Sequence, residues 1–249
     1  MNDDRWPARL LSQNSDLRRS GIWNWTIPAH TVKLSNGSWF NACPNAGSCG
    51  RVCYAKFGTY RFSNVARRHL LNLEMILEAG DLWEHRMLAE VSHKRFNPSG
   101  IRHQLPTPPG DDWLEWWRDE GGRSVRIHDA GDFFSEAYLD RWIRIAGSNP
   151  HILFYAYTKE VAMLEGAILP DNFRILYSFG GKQDHLIDRD LHRHADVFPS
   201  LETLEGRGYA DQGENDLLAI CHPNHRIGIV RNNLPVAIRR FDGKAMSEI

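Results

Sequence analysis

From residue 125 onward, short apolar runs alternate with stretches of helical period. Val125–His128 reads as a strand and Asp129–Phe134 as a turn. Ser135–Ala146 reads as a helix with Leu139, Trp142, Ile143 and Ala146 on its inner face, ended by Gly147. Ile152–Thr158 is a continuous apolar strand and Arg174–Phe179 another, with shorter strands expected near Ala195–Phe198 and Ile227–Val230. Strands separated by crossovers of roughly a dozen or more residues imply parallel pairing and right-handed connections. The expected fold class is α/β, either an open doubly wound sheet or a partial or full parallel-stranded β/α barrel. In each, ligands sit at the carboxyl ends of the strands, which singles out His128–Asp132, Tyr157–Lys159 and Ser178–Gly181.

Upstream the pattern is less regular. Residues 1–40 read as an irregular, Trp-rich lead-in with one short β segment around Thr31–Leu34, followed by a cysteine-bearing loop over 41–58. A helix then starts near Ser63 or Asn64, carries Val65, Leu70, Leu73, Ile76 and Leu77 near one face, and ends at Gly80. A second helix opens at Asp81, with Glu84 completing a capping-box pattern, and buries Trp83, Met87, Leu88 and Val91. Pro98, Pro106, Pro108 and Pro109 make 97–124 a long loop insertion. Its Trp113, Trp116 and Trp117 either pack down on the domain or form a lid, and packing is the commoner fate of such side chains. With no internal repeat, residues 1–249 are expected to form a single domain.

Composition narrows the function classes. A net charge of −1 argues against coating nucleic acid by bulk electrostatics. No run approaches the ~20 apolar residues of a membrane span, and the first residues carry no apolar secretory core. The expected location is cytoplasmic. Three of the four cysteines fall within eleven residues, a spacing unlike a disulfide framework and more typical of metal binding or catalysis.

The loop reads Cys43-Pro-Asn-Ala-Gly-Ser-Cys49-Gly-Arg-Val-Cys53. Pro44, Gly47 and Gly50 permit the tight turning that lets three thiols converge. Thiolates are soft donors, favouring an iron–sulfur cluster or zinc over hard cations. Gaps of five and three residues suit one face of a 4Fe–4S cubane better than the paired spacing of a zinc knuckle, and zinc stays as the alternative. Cys221 is the candidate fourth ligand. A fourth cysteine would close the site, whereas three leave one iron open to substrate or S-adenosylmethionine, and a lone remote cysteine is more often a small buried hydrophobe.

Other polar groups carry less. His128 at a strand end could serve as an acid/base group or be purely structural, and Lys159 could bind an anionic group or solvate a helix start. The run from Asp184 to Asp196, with His185, His192 and His194, reads as a charged, solvent-facing helix rather than a metal site. Arg51, Lys56, Arg61, Arg67 and Arg68 surround the cysteine loop and could steer a nucleotide or nucleic acid toward it, or balance the charge of a cluster.

The cysteine string continuing into Tyr54-Ala55, then Arg61-Phe-Ser-Asn-Val-Ala-Arg67 with Asn72, resembles the actinobacteriophage family called gene product eighty-eight. Arg126-Ile-His-Asp-Ala-Gly-Asp132-Phe-Phe-Ser135, Tyr138, Trp142, Tyr157-Thr-Lys159 and Tyr177-Ser-Phe-Gly180 fit the same family. The resemblance covers about residues 40–230 and implies a phage lineage without a reaction; the family pattern has no cysteine at the place of Cys221. More distantly, the chain looks like radical S-adenosylmethionine enzymes. There a three-cysteine loop follows the first strand of a β/α barrel, and a turn after the second strand receives the cofactor's amino group. The likeness places Gly131 and Asp132 at that turn, with Tyr157, Lys159 and Ser178 lining the pocket. The cysteine spacing departs from that pattern, which is three then two residues with an aromatic before the third cysteine; here Tyr54 follows it. Together these imply an iron–sulfur enzyme with Asp132, His128 and Lys159 as catalytic candidates acting on a small molecule or nucleotide. The alternatives are a nucleic-acid- or protein-binding module with a structural cluster, or a zinc-stabilised domain.

Overall fold

A computed structural model describes residues 5–97, 122–213 and 216–249. The expected lid tryptophans, Trp113, Trp116 and Trp117, lie outside the described residues. Nine strands are assigned among those residues: β1 (Ile22–Trp25), β2 (Thr31–Lys33), β3 (Trp39–Asn41), β4 (Ser124–Ile127), β5 (Leu153–Thr158), β6 (Phe173–Ser178), β7 (His194–Phe198), β8 (Ala210–Asp211) and β9 (Arg226–Val230). The α-helices are α1 (Ser15–Arg19), α2 (Ser63–Val91), α3 (Glu136–Gly147), α4 (Val161–Glu165), α5 (Leu201–Gly206), α6 (Asp216–Cys221) and α7 (Pro235–Phe241).

Seven strands form one sheet in the order β1-β4-β5-β6-β7-β9-β8, and every pair in it is parallel. β2 and β3 form a separate antiparallel hairpin. From β1 to β7 the order advances in one direction. Right-handed crossovers then fall on one face, unlike the reversal that defines a doubly wound sheet. The expectation of an α/β fold with a parallel sheet holds, and the winding is consistent with a partial β/α arrangement. Among the described residues no pairing joins β1 to β8, so the full barrel is not formed.

Alternation along β5 shows how the two faces are filled. Phe154 and Ala156 join Trp25, Val125 and Ile127 against α2 and α3, while Leu153 and Tyr155 join Ile22, Leu176 and Ile227 against Leu217, Ala219 and Ile220 of α6. The helix-side core centres on Trp25, Trp83 and Trp142. Trp83 lies 5.6 Å from Trp25 and 5.1 Å from Trp142 in tilted and edge-on contacts, and the Trp25 indole donates to Tyr138 Oη at 2.8 Å.

Four expectations are corrected. The lead-in is not irregular throughout, because Ile22–Trp25 supplies the first strand of the sheet. The break expected at Gly80 holds: two helices over 63–91 meet at a kink at Ala79 (φ −144°, ψ 49°), one residue earlier. Asp81 and Glu84 do not form a capping box there; Arg141 of α3 takes Asp81 at 2.7 Å and Glu84 at 2.6 Å, and Arg144 takes Glu84 at 2.7 Å. On α3 it is Ile145, not Ile143, that is fully buried. No helix spans 184–196: a 3-10 turn over Asp184–Leu186 precedes β7, and Asp188 Oδ1 accepts from the amides of Asp190 and Leu191 at 2.8 and 3.1 Å. Such local side-chain bonds compete with helix formation.

Replacing Trp142, which is fully buried, by alanine is expected to cost roughly 3–5 kcal/mol. Urea denaturation checks this, with the midpoint falling and the slope unchanged.

Candidate functional site

The cysteine loop leaves β3 and crosses the carboxyl ends of three adjacent strands. After β4, the Asp132 amide donates to Ala42 O at 2.9 Å. After β5, Glu160 accepts from the Asn45 amide at 3.1 Å and from Asn45 Nδ2 at 2.5 Å. After β6, Gly180 O accepts from the amides of Gly47 and Cys49, both at 3.0 Å, and the Lys182 amide donates to Asn45 O at 2.8 Å. This packing is backbone on backbone: a Cβ on Gly47 would lie 2.9 Å from Gly180 O. Gly180 itself sits at φ +100°, in the region that glycine adopts without strain. Beyond the crossing, the chain folds into 3-10 turns at Ser48–Arg51, Tyr54–Lys56 and Gly58–Arg61, and leads into α2.

Loop and strand ends enclose a cavity of about 430 Å³ lined by Cys43, Cys49 and Cys53 together with Gly131, Asp132, Tyr157, Lys159 and Ser178. All three cysteines are free thiols. Burial, reinforced by Asp132, pushes the Cys43 thiol up to about 12; burial also raises Cys53. Backbone N–H groups oppose this, since His30 N donates to Cys43 Sγ at 3.2 Å and Ala55 N to Cys53. Lys159 supplies the nearby positive charge. Burial works against its ammonium, but Cys49, Asp132 and Cys43 outweigh that and raise it, and Nζ donates to Ser178 Oγ at 3.1 Å. Among the described residues no three His, Cys, Asp or Glu side chains are grouped to hold a single metal ion.

The remaining candidates divide. Asp132 is buried at the cavity wall, and its carboxylate accepts from Thr158 Oγ1 at 2.6 Å, the Lys159 amide at 3.0 Å and the Phe133 amide at 2.9 Å. Burial still raises it above the ordinary aspartate value. It therefore clasps the ends of β4 and β5, and about one of its four acceptor positions is left for a ligand. The His128 ring lies against Phe133 and Tyr138, with Nε2 2.7 Å from Tyr138 Oη, and burial lowers it to about 3. That imidazole is neutral and held by the aromatic core.

Cys221 stands apart. It ends α6, lies 3.6 Å from an Arg174 guanidinium nitrogen near the amino end of β6, and does not line the cavity. Of the basic patch, Arg68 donates to Arg9 O and at 3.2 Å to Asn72, and Lys56 reaches Gly50 O at 2.7 Å. Arg51, Arg61 and Arg67 stay exposed.

One constellation is absent from the sequence reading. Arg126 of β4 points to the α6 side, where it pairs with Asp216 at 2.7 Å and Asp129 at 3.7 Å. Tyr155 donates to Asp216 at 3.1 Å, Gln212 also donates to it, and Tyr60 donates to Asp129. Arg126, Gln212, Asp129 and Asp216 also line the cavity. An arginine inside an apolar strand was the available signal, since a buried guanidinium requires partners.

The family model described as Gene product 88 matches residues 8–245. The chain is 32% identical over 133 residues to the Gene 88 protein of Mycobacterium phage L5, and 29% identical over 133 residues to the Gene 88 protein of Mycobacterium phage D29. Each alignment covers 53% of this chain and 48% of the relative, so the chain spans about half the length of the curated relatives it matches. No solved structure matches.

Glu160 yields a pH prediction. Burial and Asp132 raise its carboxyl to about 7 from an unfolded value of 4.5. The folded state therefore binds a proton that the unfolded state releases. The associated stability is complete below 4.5 and lost as pH rises through 7. Thermal denaturation of Glu160→Gln against the parent is expected to show the variant gaining relative stability between pH 5 and 8, by up to roughly 3 kcal/mol. A difference constant across that window would contradict the assignment.

Proposed function

The chain belongs to the Gene product 88 family, and on that premise we propose that it is a bacteriophage iron–sulfur enzyme in which Cys43, Cys49 and Cys53 hold a 4Fe–4S cluster with one iron facing the cavity. One observation carries the reading: three free thiols open into a single cavity at the carboxyl edge of a parallel sheet, and the fourth cysteine lies elsewhere. The donor set fits such a group. The thiols are soft, amide hydrogens already point at Cys43 and Cys53, and Lys159 offsets negative charge. A lone zinc requires its donors to meet about 2.0–2.3 Å from one point, and these thiols are not so grouped. A cubane spreads its thiolates over separate irons and does not require them to meet at one point.

When bound, the cluster supplies either an electron for cleaving S-adenosylmethionine or a Lewis-acid iron for a substrate oxygen. The chain's own residues do the rest. Lys159 and Ser178 bind an anionic group beside the cysteines, and Asp132 holds the ends of β4 and β5 in register while offering its remaining acceptor position to a ligand amine. Tyr157 forms cavity wall beneath the Arg126 guanidinium, 5.4 Å from its ring centre, and His128 positions this edge through Tyr138. The likeness to radical S-adenosylmethionine enzymes supports that cofactor as ligand through the one-directional strand order and the Ala130-Gly131-Asp132 turn beside the loop. The substrate is a small molecule or nucleotide, and the site of action is the host cytoplasm; no helix among the described residues is long and apolar enough to cross a membrane.

A second reading, a nucleic-acid- or protein-binding module stapled by the cluster, draws on the exposed Arg51, Arg61 and Arg67. Salt-sensitive DNA or RNA binding indifferent to Asp132→Ala would favour it.

Anaerobic purification with iron, sulfide and zinc analysis tests the proposal. We expect about four irons and about four sulfides per chain. Alanine at Cys43, Cys49 or Cys53 should sharply lower both, since a cubane loses one of its three thiolate anchors. Cys221→Ala should leave both unchanged. Stoichiometric zinc in place of iron would sink the proposal. Lys159→Met is expected to shift cluster loading to higher pH, because the thiols must lose their protons on binding and the variant lacks the nearby cation.

A further inference from the structure

Beside the three thiols stands a fourth sulfur. Met246 lines the same cavity as Cys43, Cys49 and Cys53, and its Sδ accepts from the hydroxyl of Ser48, inside the cysteine loop, at 3.5 Å. Gly180 leaves the gap that brings them together: a Cβ built there would lie 2.9 Å from Met246 Sδ and 3.1 Å from Cys49 Cβ. The thioether and the middle cysteine thus flank one side-chain-free position.

The placement of Met246 is independently fixed. Asp196, at the carboxyl half of β7, is 1% exposed and gives its carboxylate to the next residue along, accepting from Ser247 N at 3.1 Å and Ser247 Oγ at 2.6 Å. Glu248 accepts from the Ala245 amide at 2.7 Å and pairs with Arg207 at 2.7 Å. A buried carboxylate is costly unless bonded, and this one is committed to Ser247, while Glu248 holds Ala245 on the other side of Met246. The stem of Met246 packs with Val52, Phe241 and Ala237 beside Cys49. Leucine would satisfy that packing; only methionine adds a soft donor among soft donors.

We propose that Met246 supplies the fourth sulfur ligand of the centre held by Cys43, Cys49 and Cys53 whenever the cavity contains no other ligand. This rests on the iron–sulfur reading above and deepens it. A thioether carries no charge, so it holds iron without adding to the negative charge of the thiolates, and an incoming anionic or amine ligand displaces it. The iron is closed at rest and opened by the ligand itself. The exchange replaces one Lewis base by another, with no change in oxidation state.

The test uses the full chain, produced with selenomethionine and reconstituted anaerobically, with iron K-edge X-ray absorption as readout. The expected spectrum contains an iron–selenium scattering path. In selenomethionine-labelled Met246→Leu, which preserves side-chain volume, that path is lost while iron and sulfide contents stay unchanged. Met75 and Met87 are fully buried in the helix-side core, where Met163 also packs, so none of these three supplies the signal. A loaded cluster with no selenium neighbour, or one whose selenium path survives in Met246→Leu, overturns the proposal. Failure to take up iron and sulfide overturns the iron–sulfur reading and this inference with it, and elemental analysis of the same sample tells the two failures apart.

Discussion

The contact between two glycine backbones, Gly47 and the Gly180–Gly181 turn, holds the candidate site together. With no side chain at either position, the cysteine loop presses its amides directly onto Gly180 O. Any Cβ at Gly47 would meet main-chain atoms at 2.9 Å, and the loop would have to lift from the sheet. The bonds to Ala42 and from Asn45 tie the same loop to the ends of β4 and β5. The loop is a strap across three strands whose ends are brought to one edge by their parallel order. The thiols share a cavity because that strap lies flat.

The strap carries an electrostatic burden. Cys43 and Cys53 are raised by burial, Glu160 is raised by burial and by Asp132, and Asp132 itself is raised despite three donors. Four acidic groups therefore crowd one edge, with Lys159 among the cations that face them. Burial favours the protonated form of each, the usual response of acids denied solvent. On the proposed reading, a centre that takes thiolates would replace protons on the cysteines with positive charge.

Much of the sheet was legible because β5 is a continuous apolar run, β6, β7 and β9 are short, largely apolar segments set off by crossovers, and α3 carries a clean N-cap in Ser135. β1 was not legible: Ile22-Trp-Asn-Trp25 is too short to show a period, and its burial comes from β4, about a hundred residues downstream. The break between the two helices of 63–91 was legible from Gly80, and it falls one residue earlier, at Ala79, whereas Asp81 and Glu84 turn to Arg141 and Arg144 instead of capping the second helix. Of the site, the three cysteines stood out by spacing and the Gly131–Asp132 turn by its place after an apolar strand. The roles of Asp132 as a clasp and His128 as an aromatic-core residue depend on Thr158 and Tyr138, which no local pattern connects to them. Arg126 and Asp216 meet across ninety positions of chain, each ordinary in its own segment.

Mössbauer spectroscopy of the protein reconstituted with iron-57 bears most directly on the claim that this strap carries a three-cysteine cluster. The account predicts a cubane in which one iron differs from the other three, and whose spectrum changes when a cavity ligand is added. Four equivalent irons, or iron bound singly without sulfide, would contradict it.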